Sequence, residues 1–331
     1  MTNTSAPRLV VENLTTRFGS DRDGATVVDG VSFELTPGRT MALVGESGSG
    51  KSATAQSLMR LIEAPGRIIA GKVMLDGCDL LTMTERGIEE VRGGKIGMVF
   101  QDPLTSLNPA LTIGRQIAET ILAHQNISPA EAERRAIALL VRVGVTDAAR
   151  RIHDYPHHFS GGMRQRVLIA AAISCEPAII IADEPTTALD VTVQAKILRL
   201  LHDLQQEMQA SMLLITHDLG VVAAMADTVM VMYAGRIVER ADVDTLFHAP
   251  RHPYTKALLA CVAGIEDDRS VPLEPIRGTA PDLTDPPKGC RFAPRCPMAR
   301  DICLHTDPAL RALSKDHSVA CLLAHEETVD V

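Results

Sequence analysis

The residues best suited to chemistry lie in a glycine-rich segment, Gly45 to Ser52, which reads G-E-S-G-S-G-K-S. Glycines allow backbone angles that a side chain would forbid, so that successive N–H groups can converge on an anion. Lys51 adds a point charge suited to the β- and γ-phosphates of a nucleotide, and Ser52 adds a hydroxyl that can bind Mg²⁺. The pattern predicts a phosphate-binding loop, the P-loop. Its expected nucleotide contacts are Gly45, Glu46, Ser47, Gly48, Ser49, Gly50, Lys51 and Ser52.

The segments on either side of the P-loop are those that such a loop requires. Thr40 to Val44 is an apolar, strand-like run, and Ala55 and Leu58 then recur at the spacing of one helix face. A helix over Lys51 to Ile62 would direct its positive N-terminal end at the bound anion. This context favours a nucleotide site over a glycine-rich turn formed by chance.

Two carboxylates follow a predicted buried strand further along the chain. Ala178 to Ala182 is apolar and is followed directly by Asp183 and Glu184. We expect Asp183 to bind Mg²⁺ through water and Glu184 to orient or deprotonate an attacking water. An acidic pair after a strand is common, so the functional interpretation of this pair depends on the P-loop upstream.

Further polar residues follow in a characteristic order. Ser160-Gly161-Gly162 opens a helical pattern, where it would either approach an anion or serve only as a helix cap. Gln101 ends one strand-like run and His217 ends another. Their order along the chain, together with the acidic pair, favours the anion-binding use.

At these positions the chain resembles the ATP-binding cassette family, from about Leu9 to Arg240. The signature segment departs from the family's usual L-S-G-G-Q at Phe159 and Met163 but keeps the Ser-Gly-Gly core. The matching segments are Gly45 to Ser52 (Walker A), Gln101 (Q-loop), Phe159 to Met163 (signature), Ala178 to Asp183 (Walker B), Asp190 (D-loop) and His217 (switch histidine).

The resemblance implies an α/β fold, namely a P-loop NTPase core of the RecA-like type with an antiparallel β subdomain and a helical subdomain at about 102–174. Alternating strands and helices independently predict an α/β sheet. It also implies two cassettes arranged head to tail, each ATP lying between the P-loop of one and the signature of the other. Phe18 would stack on adenine, with core packing as an equal alternative. The implied roles are catalysis by Glu184, His217 and Gln101, Mg²⁺ binding by Ser52, Gln101 and Asp183, and contact with the partner's ATP by Ser160, Gly161 and Gly162.

Closely spaced prolines past Pro250 predict a boundary between a cassette at 1–250 and a smaller extension at 251–331. Segments at His248 to Leu259 and Cys290 to Pro297 resemble the ATPase subunits of bacterial dipeptide and oligopeptide importers. That resemblance implies an ATP-hydrolysing importer subunit, peripheral on the cytoplasmic face of the inner membrane. Its implied partners are two membrane permeases, a second cassette that is a paralogue or an identical copy, and indirectly a solute-binding protein. Similar subunits serve importers of nickel, glutathione and some sugars, so the cargo stays open.

Four of the seven cysteines are close together in the extension. Four thiols can bind Zn²⁺ or an iron–sulfur cluster, but their spacing matches neither a zinc ribbon nor a ferredoxin run. The resemblance favours a structural four-iron four-sulfur cluster, with Zn²⁺ and unligated or disulfide-bonded thiols as alternatives. The candidate ligands are Cys290, Cys296, Cys303 and Cys321. We expect the other cysteines, Cys78, Cys175 and Cys261, in the core and the nearby histidines, His305 and His317, at the surface.

Composition argues against several other classes of protein. A net charge of −8 and an aromatic share of 3 % disfavour a nucleic-acid partner and an aromatic-rich single-strand binder. No stretch approaches the roughly 18 to 20 apolar residues that span a bilayer, and the first residues do not form a signal peptide, so we expect a cytoplasmic chain. A soluble cassette protein acting on ribosomes or DNA would be expected to carry two cassettes or a long coiled coil. A nucleotide sensor without hydrolysis should lack Glu184, His217 or the Ser-Gly-Gly core, and all three are present.

Overall fold

The structure, a computed structural model, describes residues 9–20, 23–187, 189–261 and 276–326. They divide into two compact units. Unit 1 comprises 35–40 and 82–215, and unit 2 comprises 9–34, 41–81 and the described residues from 216 onward.

The strands are short, and most of them bury at least one face. They are β1 (Leu9–Phe18), β2 (Ala25–Leu35), β3 (Thr40–Val44), β4 (Gly66–Leu75), β5 (Cys78–Asp79), β6 (Ile96–Val99), β7 (Ile179–Asp183), β8 (Ser211–Ile215), β9 (Thr228–Tyr233), β10 (Arg236–Asp242), β11 (Arg311–Ser314) and β12 (His317–Val319).

Helices occupy much of the chain between these strands. They are α1 (Lys51–Leu58), α2 (Glu85–Val91), α3 (Pro103–Ser106), α4 (Ile113–His124), α5 (Pro129–Arg142), α6 (Ala148–Arg151), α7 (Gly161–Ala172), α8 (Val191–Met208), α9 (Leu219–Met225), α10 (Val243–His248), α11 (Pro253–Ala260), α12 (Asp301–His305) and α13 (Leu322–Glu326).

Unit 1 contains three parallel strands in the order β8-β7-β6. Every residue of these strands is buried. Continuous apolar runs of this kind are typical of parallel sheets covered on both faces. Asp183 is therefore the last residue of a strand that is buried along its whole length.

Helices α3 to α7 fill the predicted helical insert of unit 1. Thr112 caps α4 by accepting from the Arg115 N–H, and Ser128 caps α5 by accepting from the Glu131 N–H. The helices pack through apolar stripes at three- and four-residue spacing. The buried members of these stripes include Ile113, Ile117 and Ile121 of α4 and Ala132, Ala136, Leu139 and Leu140 of α5.

Unit 2 contains two sets of hydrogen-bonded strands. One has the order β2-β1-β4-β5, with antiparallel pairing between β1 and β4 and between β4 and β5. The other has the order β11-β12-β10-β9-β3, in which only β3 and β9 run parallel. A tight turn at Ala234-Gly235 joins β9 to β10, with φ of 47° and 87° at its two residues. Positive φ at both central residues is the conformation that tight hairpins favour.

Within unit 2, the extension contributes β12, which pairs with β10 so that Val319 lies opposite Glu239. Glu239 is fully buried. Its carboxylate accepts from the Arg251 N–H at 2.7 Å, the His252 N–H at 2.9 Å and the His317 Nε2 at 2.8 Å. The expectation that His317 lies at the surface is therefore wrong, because this pairing draws its ring into the interior.

Helix α1 ends earlier than the predicted Ile62. Arg60 adopts a positive φ of 51°, and the Leu61 N–H donates back to the Gln56 carbonyl oxygen at 2.8 Å. This is the geometry of a helix ending at a left-handed residue, usually a glycine. Because an arginine takes this conformation here, the sequence pattern predicted a longer helix than the structure has.

No helix within the described ranges is both long and apolar enough to cross a membrane. Helix α8, with 18 residues, buries only one face, through Ile197, Leu201 and Leu204. Its opposite face carries charged side chains, as expected for an amphipathic helix packed on a protein core.

We predict that Glu239→Ala destabilises the protein, because two backbone N–H groups and His317 lose their buried acceptor. Each buried group left without a partner costs about 1–3 kcal/mol, so the melting temperature should fall by at least about 5 °C. Glu207→Ala is the control, since Glu207 pairs with Arg142 but is 63 % exposed. It should change the melting temperature by about 1–2 °C. Equal melting temperatures for the two variants would contradict the assignment.

Candidate nucleotide-binding site

The P-loop connects β3 to α1 within unit 2. Gly50 has a φ of 106°, and a Cβ on it would lie 2.1 Å from the Val27 carbonyl oxygen. A Cβ on Gly45 would lie 2.2 Å from the Met232 carbonyl oxygen. Gly48, with a φ of 77°, faces open space. Residues 45 and 50 are therefore glycines because neighbouring backbone leaves no room, whereas residue 48 is a glycine because of its own conformation.

Lys51 begins α1 and is only 5 % exposed. Its Nζ donates to the carbonyl oxygens of Gly45 at 2.9 Å and of Glu46 at 3.0 Å. A helix N-terminus already carries partial positive charge, so a buried ammonium group there concentrates positive charge. The Ser49 hydroxyl is also buried and has no hydrogen-bond partner among the described residues. A loop with these properties suits an anionic ligand such as a polyphosphate.

Glu46 of the P-loop is held by residues that the sequence analysis missed. The Tyr254 hydroxyl accepts from the Glu46 N–H at 2.9 Å. Arg295 donates two parallel hydrogen bonds to the carboxylate, from Nη1 to Oε2 at 2.7 Å and from Nη2 to Oε1 at 3.0 Å. These bonds raise the pKa of Arg295 above its usual value, and burial raises the pKa of Tyr254, so the guanidinium is charged and the tyrosine neutral.

Three aromatic rings pack beneath this contact. The ring centroids of Tyr233 and Tyr254 are 4.6 Å apart, and Phe292 lies 5.2 Å from Tyr233 and 5.4 Å from Tyr254. The Arg295 guanidinium lies over the Tyr233 ring, 5.7 Å from its centroid. We call Tyr233, Tyr254 and Phe292 the aromatic cluster. Their burial fixes the groups that contact Glu46.

In unit 1 the structure brings two predicted catalytic residues into contact. The Glu184 carboxylate accepts from the Gln101 Nε2 at 3.1 Å and from the Thr187 hydroxyl at 2.9 Å. Its backbone N–H donates to the Ile215 carbonyl oxygen at 2.9 Å. Glu184 also adopts a φ of 43°, a sparsely populated conformation for a residue with a side chain. Such conformations cluster at functional sites, where surrounding contacts maintain them.

The signature segment starts α7 with exposed residues. Ser160 stands at the cap position, but its hydroxyl makes no capping hydrogen bond, so ordinary capping is not its role in this structure. Ser160 and Gly161 are exposed. A Cβ on Gly162 would lie 2.6 Å from the Val193 Cγ1, so this glycine allows α7 to approach α8. Asp190 caps α8 by accepting from the Val193 N–H at 3.0 Å.

The remaining predicted residues keep their expected positions in the elements. Serine, aspartate and glutamine offer oxygen ligands, which is the donor set that Mg²⁺ prefers. Asp183 is 4 % exposed at the end of β7, Ser52 is half-buried in the first turn of α1, Ser47 is exposed in the P-loop, His217 is exposed just after β8, and Phe18 is half-buried at the end of β1.

The four extension cysteines all line one small cavity of about 20 Å³. Burial raises the pKa of Cys290 to about 11 and also raises that of Cys296, which favours protonated thiols. Within the described part of the chain, however, no group of three or more Cys, His, Asp or Glu side chains is placed to hold a metal ion. The thiols converge as the sequence suggested, but the predicted metal centre is not supported by their geometry.

The other cysteines differ from the expectation of a uniform core location. Cys78 is exposed, because it lies in β5, a two-residue strand at the edge of its sheet. Cys175 and Cys261 are half-buried. The prediction that Cys78 packs in the core is therefore wrong.

Two sequence families match this chain. Residues 28–187 match the family described as ABC transporter, and residues 238–303 match the one described as oligopeptide/dipeptide transporter, C-terminal region. The oligopeptide transport ATP-binding protein AppD of Bacillus subtilis (strain 168) is 49 % identical over 320 residues, which cover 96 % of this chain and 97 % of that protein. The dipeptide transport ATP-binding protein DppD of the same organism is 46 % identical over 316 residues, covering 95 % and 94 %.

Solved structures confirm the predicted α/β P-loop NTPase fold. One is the dimeric, post-hydrolysis state of the ATP-binding cassette MJ0796 bound to ADP and Pi, with a TM-score of 0.64 and 26 % identity over 71 % of this chain and 98 % of that one. Another is cbiO1 from Clostridium perfringens, part of the ABC transporter complex cbiONQ. Its TM-score is 0.63 at 26 % identity, over 74 % of this chain and 92 % of that one.

We predict that Gly50→Ala destabilises the protein more than Gly48→Ala does. Both substitutions place a side chain at positive φ, which costs about 1–2 kcal/mol. Only the Gly50 variant adds a collision with a backbone carbonyl that cannot move independently. Thermal unfolding of the two purified variants checks this difference, and an equal or reversed order of melting temperatures would contradict the described packing of the loop.

Proposed function

Because this chain belongs to the ABC transporter family and carries the C-terminal region of its oligopeptide/dipeptide transporters, we propose that it is the ATP-hydrolysing subunit of a di- and oligopeptide importer. The predicted resemblance to this family is thereby confirmed. The observation that carries the proposal is the near full-length similarity to AppD, which spans the P-loop, the carboxylates after β7 and the extension.

The chemistry proposed for the chain is hydrolysis of ATP. In unit 2, the P-loop N–H groups and Lys51 bind the phosphates, and His217 contacts the γ-phosphate. In unit 1, the Glu184 carboxylate, oriented by its bonds to Gln101 and Thr187, accepts a proton from the attacking water. Ser52, Asp183 and Gln101 would hold Mg²⁺, which supplies neutralisation of charge on the β- and γ-phosphates when bound. Phe18 would stack on adenine.

The proposed assembly contains two cassettes. An exposed signature supports contact between Ser160, Gly161 and Gly162 and the ATP of a second cassette, which would be a paralogue or an identical copy. Asp190 would lie in the same interface. MJ0796, a structural relative, was solved as a dimer, and cbiO1 is part of a transporter complex. By analogy we place the protein on the cytoplasmic face of the inner membrane, with two permease subunits and, indirectly, a solute-binding protein.

We predict that Glu184→Gln lowers the rate of ATP hydrolysis at least about 100-fold while ATP binding persists, because the amide keeps the shape of the side chain but cannot accept the proton. The measurement uses the protein reconstituted with its permeases and second cassette in lipid vesicles. The solute-binding protein is added, and the cargo is labelled dipeptide, tetrapeptide, Ni²⁺ or glutathione. Wild-type vesicles should take up peptide only with ATP, and the rate of uptake by the variant should fall in step with its rate of hydrolysis. Glu90→Gln, an exposed residue of α2, is the charge-matched control.

Two outcomes would overturn this assignment. Hydrolysis by Glu184→Gln at the wild-type rate would remove Glu184 from its role as the base. Uptake of Ni²⁺ or glutathione in place of peptide would leave the ATPase role intact and refute the peptide cargo.

For the extension we propose a four-iron four-sulfur cluster bound by Cys290, Cys296, Cys303 and Cys321, with Zn²⁺ as the alternative occupant. The support for this proposal is the chemistry of the donor set, because the four thiols that line one cavity are ligands that either occupant can use. The thiols would have to move from their present positions to bind it.

We predict that protein isolated without oxygen contains iron and acid-labile sulfide, and that Cys290→Ser loses both. Cys78→Ser, at an exposed cysteine outside the extension, should retain both. Zn²⁺ in place of iron would select the alternative occupant, and the absence of both metals from wild-type protein would refute the proposed centre.

A further inference from the structure

An ion pair between Arg295 and Glu46 links the extension to the P-loop. The two residues are 249 positions apart in the chain. The Arg295 side chain is 5 % exposed and that of Glu46 is 27 % exposed, so the contact is largely removed from water. A bidentate, desolvated pair of this kind is much more specific in geometry than an exposed salt bridge.

We propose that Arg295 is a positioning residue for nucleotide binding, which holds the P-loop in its phosphate-binding shape from the C-terminal extension through the Glu46 carboxylate. The inference rests on the proposed function of the P-loop as the ATP site. It adds to that function a residue outside the nucleotide-binding motifs.

Arg295 is itself fixed on several sides. Its Nε donates to the Arg277 carbonyl oxygen at 2.8 Å, and its Nη2 lies 3.4 Å from the Ile276 carbonyl oxygen. Its Nη1 lies 3.3 Å from the Tyr233 hydroxyl. Each guanidinium nitrogen has a hydrogen-bond partner in unit 2. The guanidinium group that binds the Glu46 carboxylate therefore has a defined position.

Glu46 is also held along its backbone. The Tyr254 hydroxyl binds its N–H, and its carbonyl oxygen accepts from the Lys51 Nζ. The carboxylate, the N–H and the carbonyl oxygen of one residue therefore have three different partners. Because the last of them is the ammonium group proposed to bind phosphate, the orientation of Glu46 bears directly on where that ammonium group lies.

Removing Arg295 would have two effects on ATP binding. The loop would lose one of its fixed points, so a smaller fraction of molecules would have the binding shape, and the apparent affinity falls by that fraction. The Glu46 carboxylate would also lose its counter-charge next to a site for a polyanion. The substitutions below separate positioning from charge neutralisation.

The test measures binding of Mg²⁺ and a fluorescent ATP analogue to the full-length chain. Arg295→Gln should raise the dissociation constant about tenfold, the equivalent of roughly one charge-assisted hydrogen bond. In the reconstituted complex the KM for ATP should rise similarly, with kcat at saturating ATP within about twofold. Arg295→Lys, which keeps the charge but cannot form the fork, should show an intermediate loss. Arg311→Gln, at an exposed position of β11, should bind like the wild type.

The double variant Glu46→Gln/Arg295→Gln distinguishes the two effects. If Arg295 positions the loop, the double variant stays as weak as Arg295→Gln, because the fork is absent whether or not the carboxylate is charged. Recovery of wild-type affinity in the double variant would refute the positioning role. Charge neutralisation would then account for the whole effect of Arg295. Wild-type affinity in Arg295→Gln would overturn the inference outright.

Lys51→Ala separates this inference from the proposed ATP site. Loss of binding in Lys51→Ala with normal binding in Arg295→Gln would refute only the positioning role. Normal binding in Lys51→Ala would refute the P-loop as the ATP site. Melting temperatures of all variants show whether each is folded, and Arg295→Lys remains informative if Arg295→Gln does not fold.

Discussion

Close approach of backbone to backbone at the P-loop is the constraint around which unit 2 is organised. The carbonyl oxygens of Val27 and Met232 stand where side chains at residues 50 and 45 would be. The hairpin turn adds to this contact, since the Gly235 N–H donates to the Ser49 carbonyl oxygen at 2.8 Å and the Gly235 carbonyl oxygen accepts from the Asp29 N–H at 2.9 Å. The loop therefore has the shape that β2, β9 and the β9–β10 turn leave for it. Glycine is required because these strands cannot retreat without breaking their own pairing.

The strands that shape the loop also carry the extension. Strand β10 continues from the hairpin turn and pairs with β12, and the buried Glu239 of β10 binds the start of α11. Helix α11 supplies Tyr254, which returns to the P-loop through its hydroxyl. His252 holds this helix start by accepting from the Tyr254 N–H, and burial lowers the pKa of His252 to about 3, so its ring is neutral and can accept. The pairing of β10 with β12, the buried Glu239 carboxylate and the Tyr254 hydroxyl thus connect the extension to the P-loop through successive contacts.

Local patterns were readable from the sequence, and contacts between distant segments were not. The P-loop and the acidic pair after β7 each depend on a few consecutive residues, so their geometry follows from residue type. The pairing of Arg295 with Glu46 and that of His317 with Glu239 depend on which distant segments the fold brings together. A local sequence pattern cannot predict such contacts. The end of α1 at Leu58 was not predicted for a different reason, because Arg60 takes a conformation in which glycine is expected. The sequence grouped the four extension cysteines that line one cavity, but it could not predict how the thiols are placed around that cavity.

The aromatic cluster also gives the protein an optical property. The chain has three tyrosines and no tryptophan, so no indole absorbs or emits over the phenol signal. Tyr233 and Tyr254 are both buried beside the P-loop, while Tyr155 is exposed in unit 1. Much of the intrinsic ultraviolet fluorescence of the chain therefore originates next to Glu46. The native polypeptide carries its own spectroscopic reporter of that loop, with no dye or engineered label required.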